Sequence, residues 1–135
     1  MTKPAHLATF ETYQSAWRNE VSPGERQRLL RNSVAEDCHY QDPGIECRGL
    51  GELTAKIEDA NAKSPGAAFR NDRFFEHHDK AVVEWTMLDG AGEEFARGAS
   101  YVQFGPDGRL TTMTGFYEPP SRPFTPSPDA RSRPA

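Results

Sequence analysis

Apolar side chains recur at Leu7, Phe10, Tyr13 and Trp17, with Gln14 in the same register, a spacing that marks one face of a long amphipathic helix. A second helix is predicted to start at Ser22-Pro23-Gly24-Glu25, which combines a capping box with proline at the first helical position. Leu29, Leu30 and Val34 supply its apolar side. A third runs from about Gly49 to Lys63 with Leu50, Leu53, Ile57 and Ala60 in register, and Ser64-Pro65-Gly66 stops it. From there the pattern changes to strand-like runs: Phe69 to His77, Val82 to Leu88, Phe95 to Phe104 and Arg109 to Tyr117. The connections His78-Asp79-Lys80, Asp89-Gly90-Ala91-Gly92 and Gly105-Pro106-Asp107-Gly108 are short enough for hairpins. A short strand, His39 to Asp42, falls between helices two and three. The predicted order is α-α-β-α-β-β-β-β. Hairpin spacing makes the sheet antiparallel, because parallel neighbours need long crossovers. The fold class is α+β, with three helices on one face of a curved four- or five-stranded sheet and a pocket between the layers.

Composition divides the chain. Residues 1–117 carry the folded pattern; residues 118–135 hold six prolines in eighteen positions and predict an extended, mobile arm able to lie over a neighbour. At 135 residues one domain is expected. The net charge of −4 is spread without a basic stripe, which excludes nucleic acid as the main partner. The longest aliphatic run, Ala81-Val82-Val83, is far short of a membrane span, and the amino-terminal residues lack the apolar block of an export signal. Cys38 and Cys47 read as reduced thiols in a cytoplasmic protein. Phosphate-cradling and dinucleotide motifs are missing from the sequence, so no cofactor is expected. His39, His77, His78 and Asp79 lack the spacing of metal ligands, so no metal is expected either.

Tyr40 and Asp42 are two apart on a strand and share a face. Facing an apolar pocket, Asp42 is a candidate general base; as part of Asp-Pro-Gly it is equally a turn residue that caps backbone donors. Tyr13 and Trp17 are four apart on the first helix and point the same way, as an oxyanion donor and the floor of a site, or as core. A pocket lined by Trp17, Trp85, Met87, Val102, Met113 and Tyr117 would be apolar and flat-sided, suited to a planar aromatic or polycyclic ligand. Phe116 takes the place of Tyr117 if the last strand presents its other face.

The run of Tyr13-x-x-Ala16-Trp17, Tyr40-x-Asp42-Pro43, Gly49, Trp85 and Phe104-x-x-Asp107-Gly108-Arg109-Leu110 resembles the nuclear transport factor 2-like superfamily, in its SnoaL-like polyketide cyclase branch. The resemblance spans residues 5–117 and implies a cone-shaped barrel with an apolar pocket, often paired into dimers through the sheet. It also implies either of two activities. The first is a cofactor-independent isomerase or cyclase acting on a steroid- or polyketide-like carbonyl compound; the second is a binder with no chemistry. By analogy with ketosteroid isomerase in that superfamily, Asp42 matches the base and Tyr13 the oxyanion donor. Ser100 stands where the second acid would be and donates a weaker hydrogen bond. Scytalone dehydratase, which uses a histidine, brings His78 into consideration as a general acid–base.

Overall fold

The computed structural model describes residues 4–128; residues 1–3 and 129–135, which include the start of the amino-terminal segment and the end of the proline-rich arm, lie outside the described residues. Nine elements follow in chain order: α1 (Ala5–Ser15), α2 (Pro23–Ser33), β1 (Val34–Asp42), β2 (Ile45–Arg48), α3 (Gly49–Lys63), β3 (Ala68–His77), β4 (Lys80–Leu88), β5 (Glu94–Phe104) and β6 (Leu110–Tyr117). The class is α+β, with three helices packed on a six-stranded sheet that is curved but not closed into a barrel. Among the described residues no helix is long and apolar enough to cross a membrane.

The helices form where their caps and stripes say. Ser22 accepts from the Glu25 N–H and Pro23 opens α2. α2 ends one residue early, because Val34 is already extended and starts β1. α1 ends at Ser15, so Trp17 sits in the turn beyond it rather than on the helix. There the Ala16 and Trp17 N–H groups bond three residues back, to Tyr13 and Gln14. The turn is held from outside by the buried Arg26, whose Nε donates to the Ala16 carbonyl at 2.8 Å and whose Nη2 donates to Asn61 at 2.7 Å. Asn61 in turn donates to the Trp17 carbonyl at 2.8 Å.

The sheet order is β2-β1-β6-β5-β4-β3. Every pair is antiparallel except β1 with β6, which run parallel. The expectation of a wholly antiparallel, four- or five-stranded sheet is corrected here. Hairpin length constrains only strands adjacent in sequence; β1 and β6 are separated by α3 and three strands, and nothing in a turn fixes their direction. The sixth strand, β2, pairs back on β1 across the two residues Pro43 and Gly44. It is only four residues long and mostly exposed, which leaves a weak pattern. β1 itself starts five residues earlier than predicted, because a register shift between Val34 and His39 breaks its period-two alternation.

The core lies between helices and sheet, where Leu30, Leu53 and Ile57 meet Val34, Val83, Val102 and Leu110, all without solvent exposure. Residues 118–128 have no strand structure, bend at Ser121 and Arg122, and lie against the body. The Gly90 N–H donates to Thr125 O at 2.6 Å and the Ser127 N–H donates to Pro65 O at 3.2 Å. Arg122 reaches the buried Asp89 carboxylate at 2.8 Å, and Phe124 sets its ring edge-on to Phe95, centroids 5.1 Å apart.

Candidate functional site

Helices and sheet diverge at one end and enclose a cavity of about 360 Å³. α1 contributes Phe10, Tyr13 and Gln14, and the turn after it Trp17. The sheet contributes Tyr40 and Asp42 from β1, Met113, Gly115 and Tyr117 from β6, Ser100 from β5, and Trp85 and Met87 from β4. α3 supplies Lys56 and Ala60, and Pro120 of the carboxy-terminal strap closes part of the rim. The wall is mostly apolar and aromatic. Trp17 packs against Tyr40 (5.8 Å between centroids), and Trp85 lies between Phe69 (5.5 Å) and Tyr117 (6.3 Å).

Gly98 makes room for the Trp85 indole. A Cβ at Gly98 would come within 2.6 Å of two of its ring carbons. The indole Nε1 therefore reaches Ser100 and donates to Oγ at 3.1 Å. Ser100 accepts that bond, which leaves its own hydroxyl proton available to a ligand oxygen.

Asp42 caps the turn and also lines the cavity. Oδ1 accepts the Gly44 and Ile45 N–H groups at 2.8 and 3.1 Å, capping the β1–β2 turn. Oδ2 faces the cavity, where the Tyr40 hydroxyl donates to it at 2.7 Å and the Lys56 ammonium stands 3.6 Å away. The Asp42 side chain is 4% exposed. Burial pushes the Tyr13 and Tyr40 phenols well above the ordinary tyrosine range, and the Asp42 charge adds to both shifts. Each is therefore a neutral hydroxyl that can donate. Tyr117 is raised in the same sense by burial.

Nine of the eleven predicted site residues line this cavity. Two do not. His78 sits in the β3–β4 turn at φ 55°, exposed, with its ring Nδ1 against His77 at 3.1 Å. Strand alternation carries no information once the chain leaves the strand, and the turn takes His78 to the far end of β3. Val102 faces inward as predicted but lies deeper, wholly buried in the core beneath the cavity. On β6, Tyr117 is the residue that reaches the cavity, while Phe116 points outward, 59% exposed.

Lys56 is the residue the sequence reading passed over. It sits between Leu53 and Ala60 on the buried stripe of α3, three and four residues from each, and a lysine at that register is the signal that could have found it. Among the described residues no three His, Cys, Asp or Glu side chains cluster as a metal site would require.

Solved structures share this architecture. A SnoaL-like family protein from Agrobacterium tumefaciens strain C58, provisionally assigned as an isomerase, is 28% identical over 85% of this chain and 98% of its own, with a TM-score of 0.78. A protein from Sinorhizobium meliloti, provisionally assigned as a polyketide cyclase, is 16% identical, covers 80% of this chain and 93% of its own, and scores 0.65. TerC, co-crystallised with polyporic acid, is 14% identical, covers 85% and 92%, and scores 0.70. The latter two share the fold. No curated protein matches the chain by sequence. The SnoaL-like domain model matches residues 16–113, most of the chain, and the protein therefore belongs to the SnoaL-like family of the nuclear transport factor 2-like superfamily.

Proposed function

We propose that this protein is a small, cofactor-independent enzyme of the isomerase or cyclase type, which removes a proton next to the carbonyl of an apolar, flat substrate. Asp42 is the base and Tyr13, helped by Ser100, donates to the oxygen that gains charge. The carrying observation is the position of Asp42 Oδ2: a carboxylate oxygen at the wall of an apolar cavity, its carboxylate held in place by two backbone N–H groups on Oδ1. Fixing the carboxylate through its other oxygen orients the base without occupying it. Oδ2 accepts one hydrogen bond, from Tyr40, and keeps a lone pair for the substrate C–H. The released electron pair moves into the carbonyl, and the same carboxyl returns the proton for isomerisation, or the enolate attacks a second carbonyl for cyclisation. The 28% identical isomerase-assigned neighbour and the TerC complex with polyporic acid support a small organic ligand in this cavity.

Exchange of α-hydrogens on an enolisable bicyclic ketone, 2-tetralone, in deuterated buffer tests the base without knowledge of the natural substrate. The wild type is expected to exchange them faster than buffer, and Asp42→Asn to lose roughly 10²-fold or more of that acceleration. Asparagine keeps the oxygen that caps Gly44 and Ile45, so the variant should still fold and bind. Equal exchange in both would reject Asp42 as base. Tryptophan fluorescence reports occupancy separately, through Trp17 and Trp85, with quenching by planar phenols expected to weaken in Tyr13→Phe.

A second reading, a binding protein without chemistry, is favoured by Ser100, which is a poorer donor than a carboxylic acid. Binding without any exchange would select it. On either reading we propose a cytoplasmic homodimer formed through the outer face of the sheet, where Phe75, Val82 and Phe116 are exposed.

A further inference from the structure

Lys56 brings a cation to the wall of a mostly apolar cavity, beside Asp42. Its side chain is only 20% exposed, and its Nζ stands 3.6 Å from Asp42 Oδ2, an ion-pair distance beyond hydrogen-bond reach. Among the described residues the ammonium makes no hydrogen bond to a protein group, although an ammonium carries three donors. The other charged groups on this part of α3, Asp59 and Lys63, pair with each other at 3.0 Å and are more than half exposed. From β1 the ammonium faces Asp42, whose Oδ1 is already taken by the turn and whose Oδ2 is taken in part by Tyr40. The aromatic hydroxyls that share the cavity, Tyr13, Tyr40 and Tyr117, are neutral. A cation at the cavity wall with uncommitted donors is free to take a ligand oxygen.

We propose that Lys56 Nζ is the binding point for the ligand's oxygen, and that the ligand class is a planar apolar compound bearing an acidic enol or aromatic hydroxyl, such as a β-dicarbonyl or hydroxyaryl ketone. The geometry follows from the reaction. The carbon that loses a proton and the oxygen that gains the charge are two bonds apart, and the pair formed by Asp42 Oδ2 and Lys56 Nζ, 3.6 Å apart, spans them. In the resting site the ammonium offsets the Asp42 carboxylate. When Oδ2 takes the proton, the C–H electron pair becomes the enolate C=C bond and the carbonyl π pair moves onto oxygen. Negative charge then leaves Asp42 and appears on the ligand beside the same cation. Lys56 is thus paired before and after the transfer, and its attraction moves with the charge. Tyr13, whose phenol burial makes a weak acid, is the secondary donor to that oxygen.

The ligand-class statement deepens the proposed proton abstraction, and its test removes the base so that the two can fail separately. The probe is 6-cyano-2-naphthol, whose anion absorbs at longer wavelength than its neutral form. In Asp42→Asn the cation is no longer offset. The bound probe is therefore expected to be shifted at least tenfold towards the naphtholate, relative to free probe at the same neutral pH. Adding Lys56→Met should abolish the shift, Lys56→Gln should do the same, and Lys56→Arg should keep it. Circular dichroism confirms that each variant is folded; the glutamine variant carries the test if methionine disturbs α3. A naphtholate band that survives loss of Lys56, or a probe that does not bind Asp42→Asn at all, would overturn the proposal. Loss of 2-tetralone exchange in Asp42→Asn bears only on the base.

Discussion

Gly90 lies where the β4–β5 hairpin meets the carboxy-terminal strap, and its replacement by alanine would break one contact surface and little else. A Cβ there would lie 2.0 Å from Ser127 N and 2.3 Å from Pro126 C. Both are backbone atoms, so no side chain can swing aside and the strap must lift. Lifting it loses the hydrogen bonds from Gly90 N–H to Thr125 O and from Ser127 N–H to Pro65 O, each with a net value of about 0.5–1.5 kcal/mol. It also parts Phe124 from Phe95, an aromatic pair contributing about 0.5–1.5 kcal/mol beyond its area. Against this, alanine restricts the unfolded chain and returns about 0.4–1 kcal/mol. The net expectation is a loss of about 0.5–4 kcal/mol, a fall of roughly 2–16 °C in the thermal midpoint of a chain this size. Calorimetry measures the midpoint, and amide exchange at Ser127 reports whether the strap has lifted. Gly51 on α3, where a Cβ meets nothing within 4 Å, is the control: Gly51→Ala should hold or raise the midpoint. In a chain ended after Tyr117 the strap is gone and Gly90→Ala should no longer destabilise. An unchanged midpoint with Ser127 still protected would refute the docking. The same loss in the shortened chain would place the clash elsewhere.

Further outcomes follow from burial and from the sheet surface. Burial pushes the Cys38 thiol from its ordinary 9.0 up to about 11. The folded state therefore holds this proton more tightly than the unfolded state, and the resulting stability is complete below about pH 9 and lost as pH rises towards 11. Denaturant unfolding from pH 8 to 11 should show that decline, with a shallower slope in Cys38→Ala; an identical slope would remove Cys38 as its source. The exposed Phe75 and Val82 are paired across β3 and β4 in register, and Val82 faces Tyr101 on β5, so the apolar patch is continuous across three strands. Sedimentation at several concentrations should give a dimer for the wild type and a monomer for Val82→Glu; a wild-type monomer throughout would exclude the sheet-face pair.

What was legible in the chain and what was not divides along a physical line. Helix caps, stripes and hairpin turns are local, and α2, α3 and the four hairpin-linked strands form within a residue or two of where those signals put them. The shared faces of β4, β5 and β6 were readable for the same reason, since alternation is fixed by the strand itself, and Trp85, Met87, Ser100, Met113 and Tyr117 line the cavity; alternation left open which face of β6 turns inward. The parallel β1–β6 pair was not readable, because it joins segments about 70 residues apart that no turn relates. Lys56 was missed because a helix stripe is read by its apolar members, although the charge that interrupts such a stripe carries more information than the leucines around it. Asp42 shows that capping a turn does not take a carboxylate away from the cavity. One carboxylate has two oxygens, and the turn that seemed to compete with a catalytic role uses Oδ1 to hold Oδ2 at the cavity. The strap carries the same lesson at larger scale. A proline-rich composition points to a segment without regular structure, but composition says nothing about attachment. The attachment resides in Gly66 and Gly90, which leave space for Ser127, and in a buried Asp89 that receives Arg122. Those complements lie some 30–60 residues upstream, in loops whose glycines looked like ordinary turn residues until the segment that needs them was laid across them.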